Sequence, residues 1–222
     1  MEMDNTRKSF HTELQELQAD ILHMATLVAD AIERAVRSLK ERDVPLAQEV
    51  VAQDDVLDNL QIDIENRCLN LLALQQPMAS DLRLIGTALK IVTDLERMGD
   101  HAVDIAGVTI RLGGQELIKP LVDIPRMAEV AETMIQDAVR AYVDRDATLA
   151  DQLARRDQEV DHLYSQVFRE LLTYMMEDPR KINQGLYLIL VASYLERIGD
   201  HATNLAEWIV YMVTGERPRL NA

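Results

Sequence analysis

The chain has one cysteine, Cys68, so it can form no internal disulfide. Its setting in "RCLNLLAL" suits a small core residue better than a nucleophile and fits a reducing compartment. Aromatic residues make up only 4% of the composition, and 222 residues hold just eight glycines and six prolines. Little material is left for strands and turns, whereas Ala, Leu, Glu, Asp and Arg are plentiful, which favours helices. Positive charge is scarce: 23 Lys and Arg face 38 Asp and Glu, a net charge of −15. Such a field repels nucleic acid and anionic lipid, so neither is expected as a direct partner; cations and basic protein surfaces are. Long apolar runs are missing too. "LYLILVASYL" at 186–195 is too short to span a bilayer and is soon followed by charges, and "MEMDNTRKSFHTELQEL" has no apolar signal core. These absences predict a soluble cytoplasmic protein.

Hydrophobic residues supply 48% of the chain, enough for a sizeable core. From Phe10 they fall at Leu14, Leu17, Ile21, Met24, Val28, Ile32, Ala35 and Leu39, in steps of three and four. That spacing predicts a long amphipathic helix. "RDVP" at 42–45 ends it, and a second helical run reaches "LLAL" before "QQP" at 75–77. A third opens at "MASDLR", with Ser80 or Asp81 as N-cap, and runs to Gly113 and Gly114. "LIKPLVDIP" at 117–125 reads as a linker, after which the pattern restarts. Helices are expected from about Arg126 to Val143, from "DRD" at 144–146 to about Met176, and from "EDP" at 177–179 to about Val213. The expected fold is all-α, with six long helices in two tandem three-helix bundles, 1–116 and 117–222.

The two halves repeat each other. "LERMGDHAVDIA" at 95–106 returns as "LERIGDHATNLA" at 195–206, and "DDVLDNL" at 54–60 returns as "DQEVDHL" at 157–163. Duplication of one bundle is the economical explanation. With about 100° per residue and Glu96 as zero, Asp100 lies near 40° and Asp104 near 80°. The acids thus form a stripe at the edge of the apolar face, while Arg97 and His101 point further outward. Gly99 and Gly199 lie on the packing side, where a missing side chain lets a neighbouring helix approach. Like charges at i and i+4 disfavour a helix by roughly 0.2–0.5 kcal/mol per pair, so acids repeated on two helices of each half need a reason. If Asp54 and Asp58 face Glu96 and Asp100, and Asp157 and Asp161 face Glu196 and Asp200, each half gathers four carboxylates. Such clusters either protonate in part or hold cations. The competing explanation is a solvated face neutralised by Arg67, Arg97, Arg155, Arg156 and Arg197.

The pattern as a whole resembles the PhoU family of bacterial regulators of phosphate uptake and phosphate signalling. The resemblance rests on "DDVLDNL", "QQPMASDLRLIGTALKIVTDLERMGDHAVDIA", "RDQEVDHLY" and "YLERIGDHATNLAEWIVYMVTG", and covers nearly the whole chain. It implies two similar three-helix bundles and no enzymatic activity. It also implies multinuclear iron or zinc clusters, found in some members, on acidic pairs matching Asp54 and Asp58, Glu96 and Asp100, Asp157 and Asp161, and Glu196 and Asp200. Asp104 has Asn204 as its counterpart, which predicts less charge at the second site. The resemblance further implies a cytoplasmic homodimer acting as a negative regulator. Its partners would be the ATPase subunit of the phosphate ABC transporter and a phosphate-sensing membrane histidine kinase, with membrane reached only through them.

A different class, a carboxylate-bridged iron oxidase or storage bundle, would need Glu-x-x-His on two helices. The chain has it once, at Glu159 and His162; the equivalent first-half positions are Val56 and Asn59. No nucleophile with a matched base and no phosphate-cradling glycine loop stands out. His101 and His201 are expected on the helix surface or beside the acids rather than as catalysts.

Overall fold

The computed structural model describes residues 2–220, with side-chain surroundings from Phe10 onward except at Asp151 and Ala154. Seven α-helices follow one another: α1 (Glu2–Glu41), α2 (Val44–Ala52), α3 (Asp54–Gln75), α4 (Ser80–Leu112), α5 (Asp123–Asp144), α6 (Ala147–Glu177) and α7 (Ile182–Thr214). A short 3-10 turn, Pro179–Lys181, precedes α7. There is no strand among the described residues. The all-α expectation therefore holds, with one refinement. The second helical run is continuous in the second half, as α6, but in the first half it breaks at Gln53 into α2 and α3. The Arg34 guanidinium, which donates to Gln53 Oε1 at 2.6 Å and to Glu49 Oε2 at 2.8 Å, braces that break.

The periodic residues of α1 from Phe10 to Leu39 are all buried, as their spacing requires. The turns that end α1 and α5 are copies of each other. Arg42 and Arg145 take a left-handed conformation, φ 60° and 55°. The next residue caps the following helix: Asp43 accepts from Leu46 N, and Asp146 from Thr148 N and Leu149 N. Two other expected ends shift. α4 has Ala79 at its N-cap with no side-chain cap, so Ser80 is already helical and Asp81 lies in the first turn, where its charge suits the helix dipole. α5 starts at Asp123, because Pro125 fits a first turn that needs no N–H there. The linker is pinned to α7 by Gln184, whose side chain accepts from Ile118 N and donates to Glu116 O.

One hydrophobic core runs through both halves instead of two separate ones. Its centre is the antiparallel pair α4 and α7. Arg83 Nε donates to Met212 O at 3.1 Å, Thr87 Oγ1 to Trp208 O at 3.4 Å, and His201 Nδ1 meets Asp94 Oδ1 at 2.8 Å. α1 packs on α4 and α5, α3 on α4, and α6 on α7 and α5. The consequence for function is geometric. Each half exposes one helix hairpin, α3/α4 or α6/α7, related by the pseudo-twofold axis between α4 and α7. None of the helices is long and apolar enough to cross a membrane.

Candidate functional site: paired acidic clusters

The motif glycines allow the hairpins to close. A Cβ on Gly99 would come 2.6 Å from Leu57 Cδ1, and one on Gly199 would come 2.7 Å from Asp157 Oδ1. Both glycines are therefore close-contact positions, as the duplication suggested. The approach brings the acids of α3 to those of α4, and those of α6 to those of α7.

In the first half, Asp54, Asp58, Glu96 and Asp100 lie within one another's electrostatic reach. Burial, then Asp58 and Asp100, raises the Asp54 pKa; burial, then Asp100, raises that of Glu96. The second half is deeper. Asp157 is 7% exposed, and burial followed by the charges of Asp161 and Asp200 pushes it up to about 7. The Thr203 hydroxyl offsets part of this. Glu196 and Asp200 are raised as well, chiefly by burial. The motif copies differ at four positions, 98/198, 103/203, 104/204 and 105/205, and one of these lies against the clusters. Thr203 is replaced in the first half by Val103, which lines an apolar cavity of about 330 Å³ beside Gly99, Leu57 and Asp54.

The arginines act on the clusters in part: the charge of Arg97 lowers the pKa of Glu96, and that of Arg197 lowers those of Glu196 and Asp200, against the larger effect of burial. Arg67 pairs with Glu16 and Asp20, and Arg156 with Asp137, both away from the clusters. Among the ion pairs of the described residues, Arg97 alone bridges cluster acids, at 3.5 Å from Glu96 and 3.3 Å from Asp100. The donor chemistry of the eight acids fits a hard cation: all offer oxygen ligands, and burial with mutual repulsion raises the pKa values of Asp54, Glu96, Asp157, Glu196 and Asp200. Their placement is open by contrast. Among the described residues, no group of three His, Cys, Asp or Glu side chains is arranged to hold a metal ion. A cation would have to draw the carboxylates inward.

The motif histidines are not on the free surface. His101 and His201 meet across the α4/α7 seam with ring centroids 5.9 Å apart. His101 stacks on Tyr194 at 5.6 Å, while His201 takes the Asp94 contact. Asp94 and Tyr194 are pseudo-equivalent, so the axis passes between the two rings. Burial lowers the His101 pKa, and Asp104 at 3.5 Å counters it only in part, being long for a hydrogen bond. Asp104 thus leans toward His101, and the Asn204 difference bears on this seam as well as on cluster charge. The signal for the seam was present in the repeat, but nothing in a single helix reveals which helix covers it. Glu159 and His162 are exposed: Glu159 pairs with Arg126, and His162 Nδ1 contacts Gln158 O.

All-helical halves joined on a pseudo-twofold axis, each carrying an acidic hairpin, define a duplicated helical-bundle protein with paired carboxylate clusters. A family model described as the PhoU domain matches twice, at residues 21–109 and 124–209. The chain is 42% identical to the phosphate-specific transport system accessory protein PhoU homolog of Clostridium acetobutylicum, over 97% of this chain and 99% of that one. Its identity to the homolog of Aquifex aeolicus is 45%, over 92% of each. The crystal structure of PhoU from Pseudomonas aeruginosa matches with a TM-score of 0.88 and 41% identity, covering 93% of this chain and all of that one. The chain belongs to the PhoU family.

Proposed function

We propose that this protein is a non-enzymatic negative regulator of phosphate uptake and of the phosphate-starvation response. It acts in the cytoplasm, as a homodimer, as an adaptor between the ATPase subunit of the phosphate ABC transporter and a phosphate-sensing histidine kinase. The observation that carries this reading is the likeness, over nearly the whole length of both chains, to proteins named for accessory service to phosphate-specific transport. Among the described residues no helix is long and apolar enough to cross a membrane. The test is a deletion strain grown in rich phosphate. Phosphate-starvation genes should be derepressed, read as a phosphatase, and a pull-down should recover transporter and kinase. Normal repression together with capture of neither partner would overturn the reading.

Within the same proposal, Asp54, Asp58, Glu96 and Asp100 hold cations in the first half, and Asp157, Asp161, Glu196 and Asp200 in the second. Iron or zinc, bound by several carboxylates, would offset part of each cluster's negative charge and tie two helices together. The raised acid pKa values support this. Elemental analysis of protein purified without chelator should show metal, reduced separately by Asp58→Ala with Asp100→Ala and by Asp161→Ala with Asp200→Ala. Protein that stays metal-free across added iron, zinc and manganese would remove the metal part and leave the regulator reading standing. No observation favours the iron oxidase alternative, because Glu159 is engaged by Arg126 on α5 and lies outside the cluster.

A further inference from the structure

The duplication makes the two hairpins comparable position by position, and their tips differ. On α6, Phe168, Leu172 and Met176 recur every four residues and are 41%, 43% and 77% exposed. On α7, Ile182, Leu186 and Leu190 do the same at 43%, 52% and 44%. The first-half counterparts are Glu65, Leu69, Ala73, Leu82, Gly86 and Lys90, of which only Leu69 and Leu82 are large and apolar; the exposed Leu74 and Met78 of that tip, 78% and 80%, lie in the last turn of α3 and in the α3–α4 connection rather than in stripes along the two helices. The α6/α7 stripes run side by side, since α6 and α7 are antiparallel with Met175 against Gly185, and Leu171 and Leu188 line one crevice. With about 100° per residue, both stripes fall on the side of the seam away from α5, the side that also carries Asp157, Asp161, Glu196 and Asp200. The result is one face with an apolar end, on the order of 500 Å², the scale at which exposed apolar surface marks an interaction site. Its other end is acidic.

We propose that this α6/α7 face is the docking groove for a basic amphipathic helix of a partner protein. Apolar residues of that helix lie over Leu172 and Leu186, and its Lys or Arg residues lie over the acidic cluster. The proposal deepens the adaptor reading and rests on it. Charge selects the occupant. A second copy of this chain, at net −15, would bring its own acids to the acidic end. An anionic lipid surface would meet the same repulsion. From Met176 to Asp157 the face spans nineteen residues of helix, about 28 Å at 1.5 Å per residue, which sets the guest at about five turns. A helix laid there would contact α6 and α7 in the manner of a bundle neighbour, its anchors at i, i+3, i+4 and i+7.

The probe is a fluorescein-labelled helical peptide of about five turns, with leucines on one face of the first three turns and lysines on the same face of the last two. Wild-type protein should give a saturable rise in anisotropy that weakens as salt is raised well above 0.1 M, roughly where the Debye length falls under 10 Å. L172E with L186E should weaken binding at least about tenfold, which is about 1.4 kcal/mol. The first-half control, L69E with L82E, should leave it unchanged, and a peptide with serine for leucine should not bind. Circular dichroism verifies folding, and the milder L172S with L186S should fall between. Absence of wild-type binding, or equal loss in both pairs of variants, overturns the proposal. So does a wild-type dimer that L172E with L186E converts to monomer in sedimentation, which would assign the face to a second copy. So does variant-sensitive flotation with phosphatidylglycerol vesicles, which would assign it to lipid. Capture of the transporter ATPase or kinase separates the two readings. If both variants retain capture, the adaptor stands and the groove fails. If wild type captures neither, the adaptor fails and the peptide titration still judges the groove.

Discussion

The same substitution at the two motif glycines should have opposite consequences. Alanine in place of glycine in a helix interior is worth about 1 kcal/mol in propensity. At Gly99 the new Cβ meets only the tip of Leu57, at 2.6 Å, and Leu57 borders the cavity of about 330 Å³. A side-chain shift costs about 0.5–1.5 kcal/mol, so Gly99→Ala should fall within about 1 kcal/mol of wild type. At Gly199 the Cβ meets the buried Asp157 carboxylate at 2.7 Å, with Val160 Cγ1 behind it at 3.6 Å. Moving that carboxylate forfeits the Thr203 contact and leaves a buried polar group worse satisfied, a cost of about 1–3 kcal/mol before any separation of α6 from α7. Gly199→Ala should therefore destabilise by a net of about 1–2 kcal/mol, lowering Tm by roughly 3–6 °C for a chain of this size. Thermal and urea unfolding of apo protein read this directly, and the continuous core predicts a single transition. Equal stabilities, or a Gly99→Ala more damaging than Gly199→Ala, would refute the argument that cavity and carboxylate set the difference.

Other perturbations follow from single groups. Glu132, held up to about 7 by burial and then by Glu33 and Glu129, binds a proton in the fold that it gives up when unfolded. Stability of apo protein should therefore be fully present near pH 4.5 and fall as pH rises through 7, by roughly 1 kcal/mol after solvent screening of this half-buried group; Glu132→Gln should flatten the urea midpoint between these limits. Asp157, also raised to about 7, adds to the same slope, and a bound divalent cation should remove its share. Tyr142 is fully buried with no partner for its hydroxyl, and Tyr142→Phe should raise stability by about 1 kcal/mol in denaturant titration. A loss on that change would show that the hydroxyl is satisfied in solution. Arg42→Gly and Arg145→Gly relieve left-handed backbone and should each stabilise by about 1 kcal/mol, provided the capping aspartates Asp43 and Asp146 stay intact.

Local periodicity was sufficient for much of this protein. The buried face of α1, the duplication, the two turns built on Arg-Asp and the packing role of Gly99 and Gly199 all depend on residues near one another along the chain. Their physics, side-chain spacing on a helix and the cost of a Cβ, needs no knowledge of distant neighbours. The membership of eight acids in two groups was legible for the same reason, since the repeat showed which helices must carry them. Tertiary structure alone decided what those groups experience. Asp157 is buried beside Thr203 while Asp54 borders a cavity lined by Val103, and both surroundings are supplied through the partner helix. Arg67 and Arg156 are drawn to acids on α1 and α5 because the helix that covers an arginine is chosen by packing. The break at Gln53, the meeting of His101 with His201, and the alignment of the α6/α7 apolar stripes with the second acidic cluster were likewise settled only by helix pairing. A helix's own sequence specifies which face is apolar, and only the order of packing determines which neighbour that face will meet.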